Sequence, residues 1–505
     1  MTSSGETGSL RATAVRGVKW TSTSAAYTFA VSVLQAAIVA HFIAPRQYGL
    51  VTTVVLIGGF ALAITDLGIS NAIIARQISD RATLASLYWT NIAVGTLLGG
   101  VVFVCAPLLA DAYGQPALIE LLRWSSLGFL IAPLGQQFQV LLQKRLQFER
   151  MAIVEIASMT AGFAVAVAAA ATGHGALSLV WAALVLATVK AAILCFLGWR
   201  TWPPSARPRL RLVREHLGFG AYQVGAQALD YLNANVDFLL ISAVLGPKPL
   251  GYYALGYQLI IRPLMRLNPI VTRVAFPVYA QRQGDEATIR RGLLEVTRLI
   301  AFVSAPLLCG LAVAAPWLVP VALGPRWAPS IVVVQILAGV GLVKALYNPV
   351  GSVLLAKNRP DLEFKFGLVV NVVLVVVLGA LVPLGIVAVS WGQLAVTVAA
   401  FAFGRRLVDR VIGLSTRQYV ATVARPIAIA LASSGVVLAV ALVADPTARP
   451  QPLLVAGLAA LGALVHAGLV SRFDAAYVRW LWSLLRRERA ADAPSGPVPV
   501  PQAAQ

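Results

Sequence analysis

Apolar runs of about 20 residues recur along the whole chain, separated by short polar breaks. A run of that length matches the α-helix needed to cross ~30 Å of hydrocarbon. Backbone groups in a bilayer must be bonded internally, and the runs lack the alternation of barrel strands, so they predict transmembrane helices. The fourteen predicted spans are 20–43, 47–68, 83–106, 121–142, 151–172, 176–198, 217–245, 252–278, 293–318, 329–355, 363–383, 386–404, 419–443 and 452–470.

The composition excludes a soluble protein. Of the 505 residues, 59% are hydrophobic and 12% charged, against roughly 25% charged in an ordinary soluble domain. The mean hydropathy of +0.79 is spread over the chain rather than confined to one anchor. The first run has no small-residue cleavage site behind it and reads as a retained helix, not a signal peptide. We therefore expect an all-α polytopic membrane protein.

The basic residues indicate the topology. With the breaks numbered alternately from an inner N-terminus, the inner breaks hold 28 of the 40 Lys and Arg residues. The outer breaks hold four, which are Arg46, Lys248, Arg326 and Arg449. This split follows the positive-inside rule and predicts an even number of helices with both termini cytoplasmic. Most of the net charge of +20 is then a topology signal, and we expect no nucleic-acid partner.

The cysteines and histidines favour no chemistry. The three cysteines all lie in apolar runs, and the four histidines are scattered. Neither set has the spacing of metal ligands or of a disulfide framework. We expect no metal, no bound cofactor and no catalytic residues.

Three weak matches in the same order reveal an internal repeat. Pro45–Gly49 matches Pro247–Gly251, and Leu141–Lys144 matches Leu354–Lys357, at offsets of 202 and 213. The third match pairs Gly175 and Trp181 with Gly385 and Trp391, at an offset of 210. Six helices per repeat is an even number, so the two halves share one orientation and leave an interface between them.

The repeat divides the chain into five predicted regions. These are a cytoplasmic N-terminus (1–19), a six-helix lobe (20–205), a second six-helix lobe (206–415), two added helices (416–470) and a basic, disordered cytoplasmic tail (471–505). The joint between the lobes is rich in Pro and Arg and reads as a cytoplasmic linker.

The predicted eighth helix carries a basic stripe. At about 100° per residue, Arg262, Arg266 and Arg273 fall within about 40° of one another. Each Arg near the bilayer centre costs about 2.5–3.5 kcal/mol, so exposure of the stripe to lipid is disfavoured. We expect a cationic wall in a cavity between the lobes, with snorkelling or internal ion pairing as the alternative, most of all for Arg273. Prolines in the same helix predict a kink or a break.

The seventh helix carries a polar face. Four polar side chains fall within about 80° of one another around the helix axis, namely Gln223, Gln227, Asp230 and Asp237. Asn233 lies beside them. Asp230 and Asp237 are candidates either for structural pairing with the eighth-helix arginines or for binding a driving ion.

Three further charged residues lie within predicted helices. Lys344, with Asn348 one turn on, sits at mid-depth in the tenth helix and is expected to line the cavity. Lys190 in the sixth helix either faces that cavity or snorkels. Asp66 near the end of the second helix either acts in the cavity or caps and pairs with Arg76.

A basic cavity inside a membrane suits a lipid-linked anion, because Arg offers paired donors to a diphosphate that loses its hydration. The segments Leu217–Tyr222, Asp230–Asp237 and Gly251–Tyr257 resemble the Wzx polysaccharide exporters. Arg266–Val278 is similar to the colanic-acid-exporter branch of that family. The resemblance covers about residues 15–415.

The resemblance implies the fold of the multidrug/oligosaccharidyl-lipid/polysaccharide (MOP) exporter superfamily and a transporter rather than an enzyme. It implies that undecaprenyl-diphosphate-linked repeat units are flipped from the cytoplasmic to the periplasmic leaflet of the bacterial inner membrane. The sequence leaves H⁺, Na⁺ and the membrane potential open as the driving force. Polysaccharide polymerase and chain-length proteins are the implied partners. Arg266, Asn268 and Arg273 match the family's eighth-helix signature, and Asp66 matches its second-helix signature.

Three other functions are weighed against this interpretation. A multidrug antiporter of the same superfamily usually has twelve helices and a more acidic binding lobe. A peptidoglycan-precursor flippase shares the fourteen helices and the basic cavity but not the eighth-helix signature. A membrane polymerase would be expected to carry a sizeable outer loop, whereas the outer breaks here are short.

Overall fold

The regular structure is helical throughout the residues described by the computed structural model. These are residues 3–65, 73, 80–205, 209, 224, 225, 227–261, 285–357, 359–444, 452–479 and 483. We label the helices in chain order. They are α1 (Ser3–Phe42), α2 (Pro45–Thr65), α3 (Arg81–Ala112), α4 (Ala117–Lys144), α5 (Phe148–Ala171), α6 (Ala176–Trp199), α7 (Val236–Val244, preceded by helical residues 227–234), α8 (247–261), α9 (Glu286–Leu323), α10 (Ser330–Ala356), α11 (Pro360–Leu381), α12 (Ile386–Ile412), α13 (Thr416–Ala444) and α14 (Pro452–Phe473).

Eleven of these helices are long and apolar enough to cross a membrane. Each coincides with a predicted span, and the helix ends mostly fall within a few residues of the predicted limits. The three predicted spans missing from the eleven are 47–68, 217–245 and 252–278, and each runs into residues outside the described ranges. A multi-pass helical membrane protein is therefore confirmed.

The first helix starts earlier than predicted. We expected a span from residue 20, whereas α1 begins at Ser3 and its membrane-length part begins at Lys19. Hydropathy marks where a helix enters hydrocarbon, but backbone hydrogen bonding continues a helix into water.

Local sequence signals explain several helix ends. Asp80 caps α3 by accepting the backbone N–H of Thr83 at 2.8 Å, and this hydrogen bond lowers the pKa of the exposed Asp80 carboxyl. Asp285 caps α9 in the same way through Thr288, at 3.0 Å. Gly413 ends α12 with a φ of 64°, a left-handed conformation that glycine adopts without strain.

The helices of each half pack mainly on one another. In the first half (α1–α6), α3 packs on α4, α4 on α6, α6 on α5, and α5 on α1. In the second half (α7–α14), α9 packs on α10 and α13, α10 on α12, and α13 on α14. Apolar side chains such as Val104 and Leu108 point outward and are 75% and 69% exposed, as expected for surfaces that face lipid.

The main core joins the two halves. It contains the fully buried Ile43 at the end of α1, Leu250 and Tyr253 of α8, and Trp327 in the turn between α9 and α10. The Trp327 indole N–H donates to the carbonyl of Ala40 at 2.9 Å. The core therefore sits where the connections after α1, α7 and α9 meet.

The segment after α14 folds back onto the second half. The Asp474 side chain is 2% exposed and accepts a 2.6 Å bond from Arg298 of α9, with Arg425 of α13 at 3.9 Å. The Arg298 guanidinium also lies 4.1 Å from the ring of Tyr477, and burial raises the pKa of the Tyr477 hydroxyl. These contacts tie α9, α13 and the end of α14 together.

Candidate functional site

The predicted basic stripe lies outside the described residues. This holds for Arg262, Arg266, Asn268 and Arg273, and also for Asp66 of the second predicted helix. Their assignment to the substrate cavity stays a prediction from sequence. The other candidates, which are Asp230, Asp237, Gln227, Asn233, Lys190 and Lys344, lie in described helices.

Asp237 is the centre of a buried polar cluster. It lies in the first turn of α7 and is 3% exposed. Its Oδ1 accepts the backbone N–H of Phe238 at 2.9 Å, and its Oδ2 accepts the hydroxyl of Tyr253 at 2.7 Å. The positive end of the α7 dipole also favours a carboxylate at this position.

Tyr253 links Asp237 to Gln393 of α12. The fully buried Tyr253 hydroxyl contacts the carboxylate of Asp237 and the side-chain amide of Gln393. A hydroxyl carries one proton, so it donates to only one of these groups. The other contact takes its proton either from the Gln393 amide or from a protonated Asp237. The two contacts of Tyr253 can thus be satisfied with Asp237 either ionised or protonated.

Lys344 supplies a positive charge close enough to act on this cluster. It lies half-buried in α10, and its charge acts on Asp237, although no ion pair within 4.0 Å joins the two side chains. The arrangement brings an acid from α7 and a cation from α10 into one buried region. Sequence reasoning proposed both residues but did not pair them.

The two acids of the predicted polar face have different surroundings. Asp230 is exposed, Gln227 and Asn233 are half-buried, and Asp237 is buried. The helix is interrupted at Asn235, which has a φ of −128°, so the residues before and after it do not share one continuous face. We assumed an unbroken helix in predicting one stripe.

Lys190 lies in a pocket between α4 and α6. The pocket has a volume of about 440 Å³, and its polar side chains are Gln136, Gln139, Gln143 and Lys190. The sequence allows Lys190 either to snorkel or to face the interior. Its position among the amides favours the interior.

A second cavity, of about 270 Å³, lies between the two halves. Its walls come from α1, α2, α5, α6 and α8, and its polar side chains include Gln35, Thr52 and Gln258. The hydroxyl of Tyr48 donates to the side-chain oxygen of Gln258 at 2.6 Å across the two halves. Sequence reasoning missed Gln35, Gln258, Tyr253 and Gln393, although each is a polar side chain in an apolar run.

The motifs Pro45–Gly49 and Pro247–Gly251 touch each other beside this cavity, which Tyr48 of the first motif lines. A Cβ atom built on Gly49 would lie 1.6 Å from the carbonyl oxygen of Pro247, and one on Gly251 would lie 2.0 Å from that of Pro45. The first turns of α2 and α8 therefore touch through their backbones. Trp327 packs edge-on against Tyr48 of α2 and Tyr252 of α8, with ring centroids 5.7 and 6.1 Å apart.

Comparison with known sequences identifies the family. Residues 38–332, which include Pro45–Gly49, Pro247–Gly251 and the α7–α8 region, match the family described as "Polysaccharide biosynthesis protein". This chain belongs to that family. The predicted resemblance to polysaccharide exporters is confirmed.

Members of the family with similar sequences come from different bacteria. The teichuronic acid biosynthesis protein TuaB of Bacillus subtilis (strain 168) is 33% identical, over 94% of this chain and 98% of its own length. The lipopolysaccharide biosynthesis protein WzxC of Escherichia coli (strain K12) is 32% identical, over 84% of this chain and 86% of its own length.

Solved structures show the same fold at low identity. The lipid II flippase MurJ in an inward closed conformation has a TM-score of 0.68 at 9% identity, over 90% of this chain and 99% of MurJ. An inward-facing multidrug resistance MATE family transporter of the MOP superfamily has a TM-score of 0.58 at 13% identity, over 77% of this chain and 96% of the transporter. The chain thus has the MOP-type transporter fold that the sequence resemblance implied.

Proposed function

We propose that this family member is a flippase that moves undecaprenyl-diphosphate-linked repeat units from the cytoplasmic to the periplasmic leaflet of the bacterial inner membrane. The observation that carries the proposal is a cavity walled by helices of both halves, with the backbone contact of Gly49 and Gly251 beside it. We infer that this contact seals one end of the cavity, and a cavity shared by both halves with one sealed end suits alternating access. The names of TuaB and WzxC support a polysaccharide precursor as the substrate class.

The topology we propose has fourteen spans, two six-helix lobes (20–205 and 206–415) and both termini in the cytoplasm. Three breaks assigned to the outer side, after α1, α7 and α9, come together around Trp327, which supports this orientation. The closed end of the cavity is then periplasmic, and this conformation is the one that would receive substrate from the cytoplasm.

The diphosphate is proposed to bind Arg262, Arg266 and Arg273, with Asn268 and Lys344 beside them. A guanidinium keeps its charge in a dry site and offers two parallel N–H donors, which match phosphate oxygens. An unpaired Arg stripe costs several kcal/mol in hydrocarbon, whereas a bound diphosphate would offset that cost.

Coupling to a driving ion is proposed at Asp237, with Asp66 and Asp230 as the other acids. The Asp237–Tyr253–Gln393 cluster supports H⁺ as the ion, since it accommodates one proton more or less. Lys344 would hold the ionised carboxylate when that proton leaves. Na⁺ and the membrane potential are the alternative drivers.

The rival functions share the fold, so the fold does not separate them. Multidrug transport is disfavoured by the family match, and peptidoglycan-precursor transport rests on a 9%-identical structure alone. A polymerase acting on the same units is the rival that the depletion experiment below distinguishes. Polysaccharide polymerase and chain-length proteins are the proposed partners.

The test is to deplete the protein and locate the lipid-linked repeat unit. A flippase defect leaves the units in the cytoplasmic leaflet, where an impermeant sugar-binding probe added outside does not reach them. A polymerase defect leaves single units on the periplasmic side, and this outcome would overturn the proposal. Purified protein in vesicles should move a fluorescent lipid-linked unit between leaflets, and empty vesicles are the control.

A further inference from the structure

The pocket between α4 and α6 has the chemistry of a binding site. Gln136, Gln139 and Gln143 recur at intervals of three and four residues and so line one face of α4. Lys190 of α6 completes the polar lining. Three amides and one ammonium in a cavity of about 440 Å³ fall within the ~300–1,000 Å³ range of small-ligand sites.

Lys190 faces the interior of the protein. Leu179, Ala183 and Leu186 of α6 line the cavity between the two halves. Lys190 follows Leu186 by one turn and falls within about 40° of all three around the helix axis. Leu186 lines both cavities, so the amide-lined pocket lies next to the cavity between the two halves along α6.

Lys190 lies deep within its helix, and no described residue supplies it with a counter-charge. It is nine residues before Trp199, or ~14 Å from that end of α6. Across the described part of the chain it has no carboxylate within 4.0 Å and no hydrogen bond, whereas Lys344 lies near Asp237. An unpaired ammonium at this depth is costly, and a bound anion would offset that cost.

The neighbouring amides indicate which anion fits. A Gln side chain both donates and accepts hydrogen bonds, as sugar hydroxyls do. Lys is a single point charge, which suits one carboxylate, whereas paired Arg donors suit a diphosphate. The Asn91 amide donates to the oxygen of Gln136 at 3.3 Å and so orients that amide within the pocket.

We propose that this pocket is a specificity site for a carboxylate-bearing sugar of the repeat unit. Lys190 pairs with the carboxylate, and Gln136, Gln139 and Gln143 bind hydroxyl groups of the same sugar or its neighbour. This inference rests on the proposed function for its substrate class. It adds a second anionic contact, on the first half of the protein, to the diphosphate contact expected on the second half.

Binding of soluble sugars to the purified full-length protein tests the assignment. The probes are a disaccharide containing glucuronate and its neutral counterpart containing glucose. The unaltered protein should bind the acidic probe more tightly, and Lys190→Gln should reduce that preference about tenfold or more, as expected for a lost charged hydrogen bond. Lys190→Arg should keep most of the preference. Lys365→Gln, which removes an exposed lysine of α11, is the matched control and should keep all of it.

Three results would overturn the assignment. The first is equal binding of both probes by the unaltered protein, and the second is an undiminished preference for the acidic probe in Lys190→Gln. The third is a loss of affinity in Lys190→Gln that is as large for undecaprenyl diphosphate without a sugar as for the acidic probe. That result would locate Lys190 at the diphosphate. Transport of a lipid-linked unit by the unaltered protein in vesicles is measured separately. Absence of transport in that assay would refute the proposed function. The sugar-binding assay would still test the role of Lys190 independently.

Discussion

Gly49 and Gly251 lie in a reciprocal backbone contact. A Cβ atom on either would come within 1.6 or 2.0 Å of a carbonyl oxygen in the opposite motif, a distance that no side chain tolerates. The two glycines end matching five-residue motifs 202 positions apart. The two copies of this motif therefore meet beside the cavity between the two halves, and we infer that their contact closes one end of it.

Alanine at either glycine is expected to prevent this closure. Gly49→Ala and Gly251→Ala should insert normally but lose most transport of lipid-linked units, because the Cβ keeps the first turns of α2 and α8 apart. A cysteine introduced at Gln258, below the contact, should then react faster with an impermeant thiol reagent added outside. The native cysteines, Cys105, Cys195 and Cys309, are replaced first.

Gly100→Ala is the matched control for these variants. A Cβ atom on Gly100 of α3 would meet no atom within 4 Å, so transport and labelling should stay at the level of the unaltered protein. Unchanged labelling together with full transport in Gly251→Ala would show that the contact is not a gate.

Arg266 is expected to act on substrate rather than on folding. Arg266→Ala should abolish export while the protein remains in the membrane, since removing an intramembrane charge eases insertion. Arg266→Lys should restore export in part, because the ammonium keeps the charge but loses the paired donors. If Arg266 instead neutralises Asp237, Arg266→Ala should lower protein abundance, and adding Asp237→Asn should restore abundance and export. Export assays and membrane immunoblots separate these outcomes.

Tyr253 is expected to hold Asp237 and Gln393 in place. Tyr253→Phe strands two buried polar side chains, so the free energy of unfolding in detergent should fall by about 1–3 kcal/mol. The dependence of transport on external pH should change as well. Tyr252→Phe keeps the ring beside Trp327 and serves as the control. An unaltered pH dependence in Tyr253→Phe would argue against coupling at this cluster.

Asp474 is expected to anchor the segment that follows α14. Asp474→Asn weakens the 2.6 Å bond to Arg298, whose side chain is 30% exposed. The free energy of unfolding should therefore fall by about 1–3 kcal/mol. Asp361→Asn breaks the ion pair between Asp361 and Arg359, whose side chains are 47% and 49% exposed respectively. This variant should lower the free energy of unfolding by less than about 1 kcal/mol. Thermal unfolding and protease sensitivity of the C-terminus measure the difference. Equal losses would mean that burial of Asp474 contributes nothing.

The proposed topology is tested by reporter fusions. Fusions near residues 110, 174 and 447 should score periplasmic, and those near 207, 286 and 410 cytoplasmic. The charge asymmetry of the breaks is the physical reason. A cytoplasmic score at 447 would contradict the fourteen-helix arrangement, because that position lies between the last two predicted spans.

The transmembrane helices and the family could be predicted from the sequence. Hydropathy is a local, additive property, and a helix satisfies its own backbone groups, so eleven membrane-length helices appear where apolar runs predict them. The family was readable too, because short motifs such as Gly251–Tyr257 are contiguous in sequence. Even the matching motifs at Gly49 and Gly251 stood out as a repeat, although nothing in them indicated that they touch.

The tertiary structure decided which polar side chains meet. Asp237 was a candidate partner for an arginine or for a driving ion, and the structure adds Tyr253 and Gln393, from two other helices, to its buried site. The interruption at Asn235 separated two acids that an ideal helical period had placed on one face. Periodicity describes one helix at a time, whereas contacts between helices more than a hundred residues apart depend on how whole surfaces pack. The sequence alone therefore determined the helices and the family, and packing between the helices determined the site.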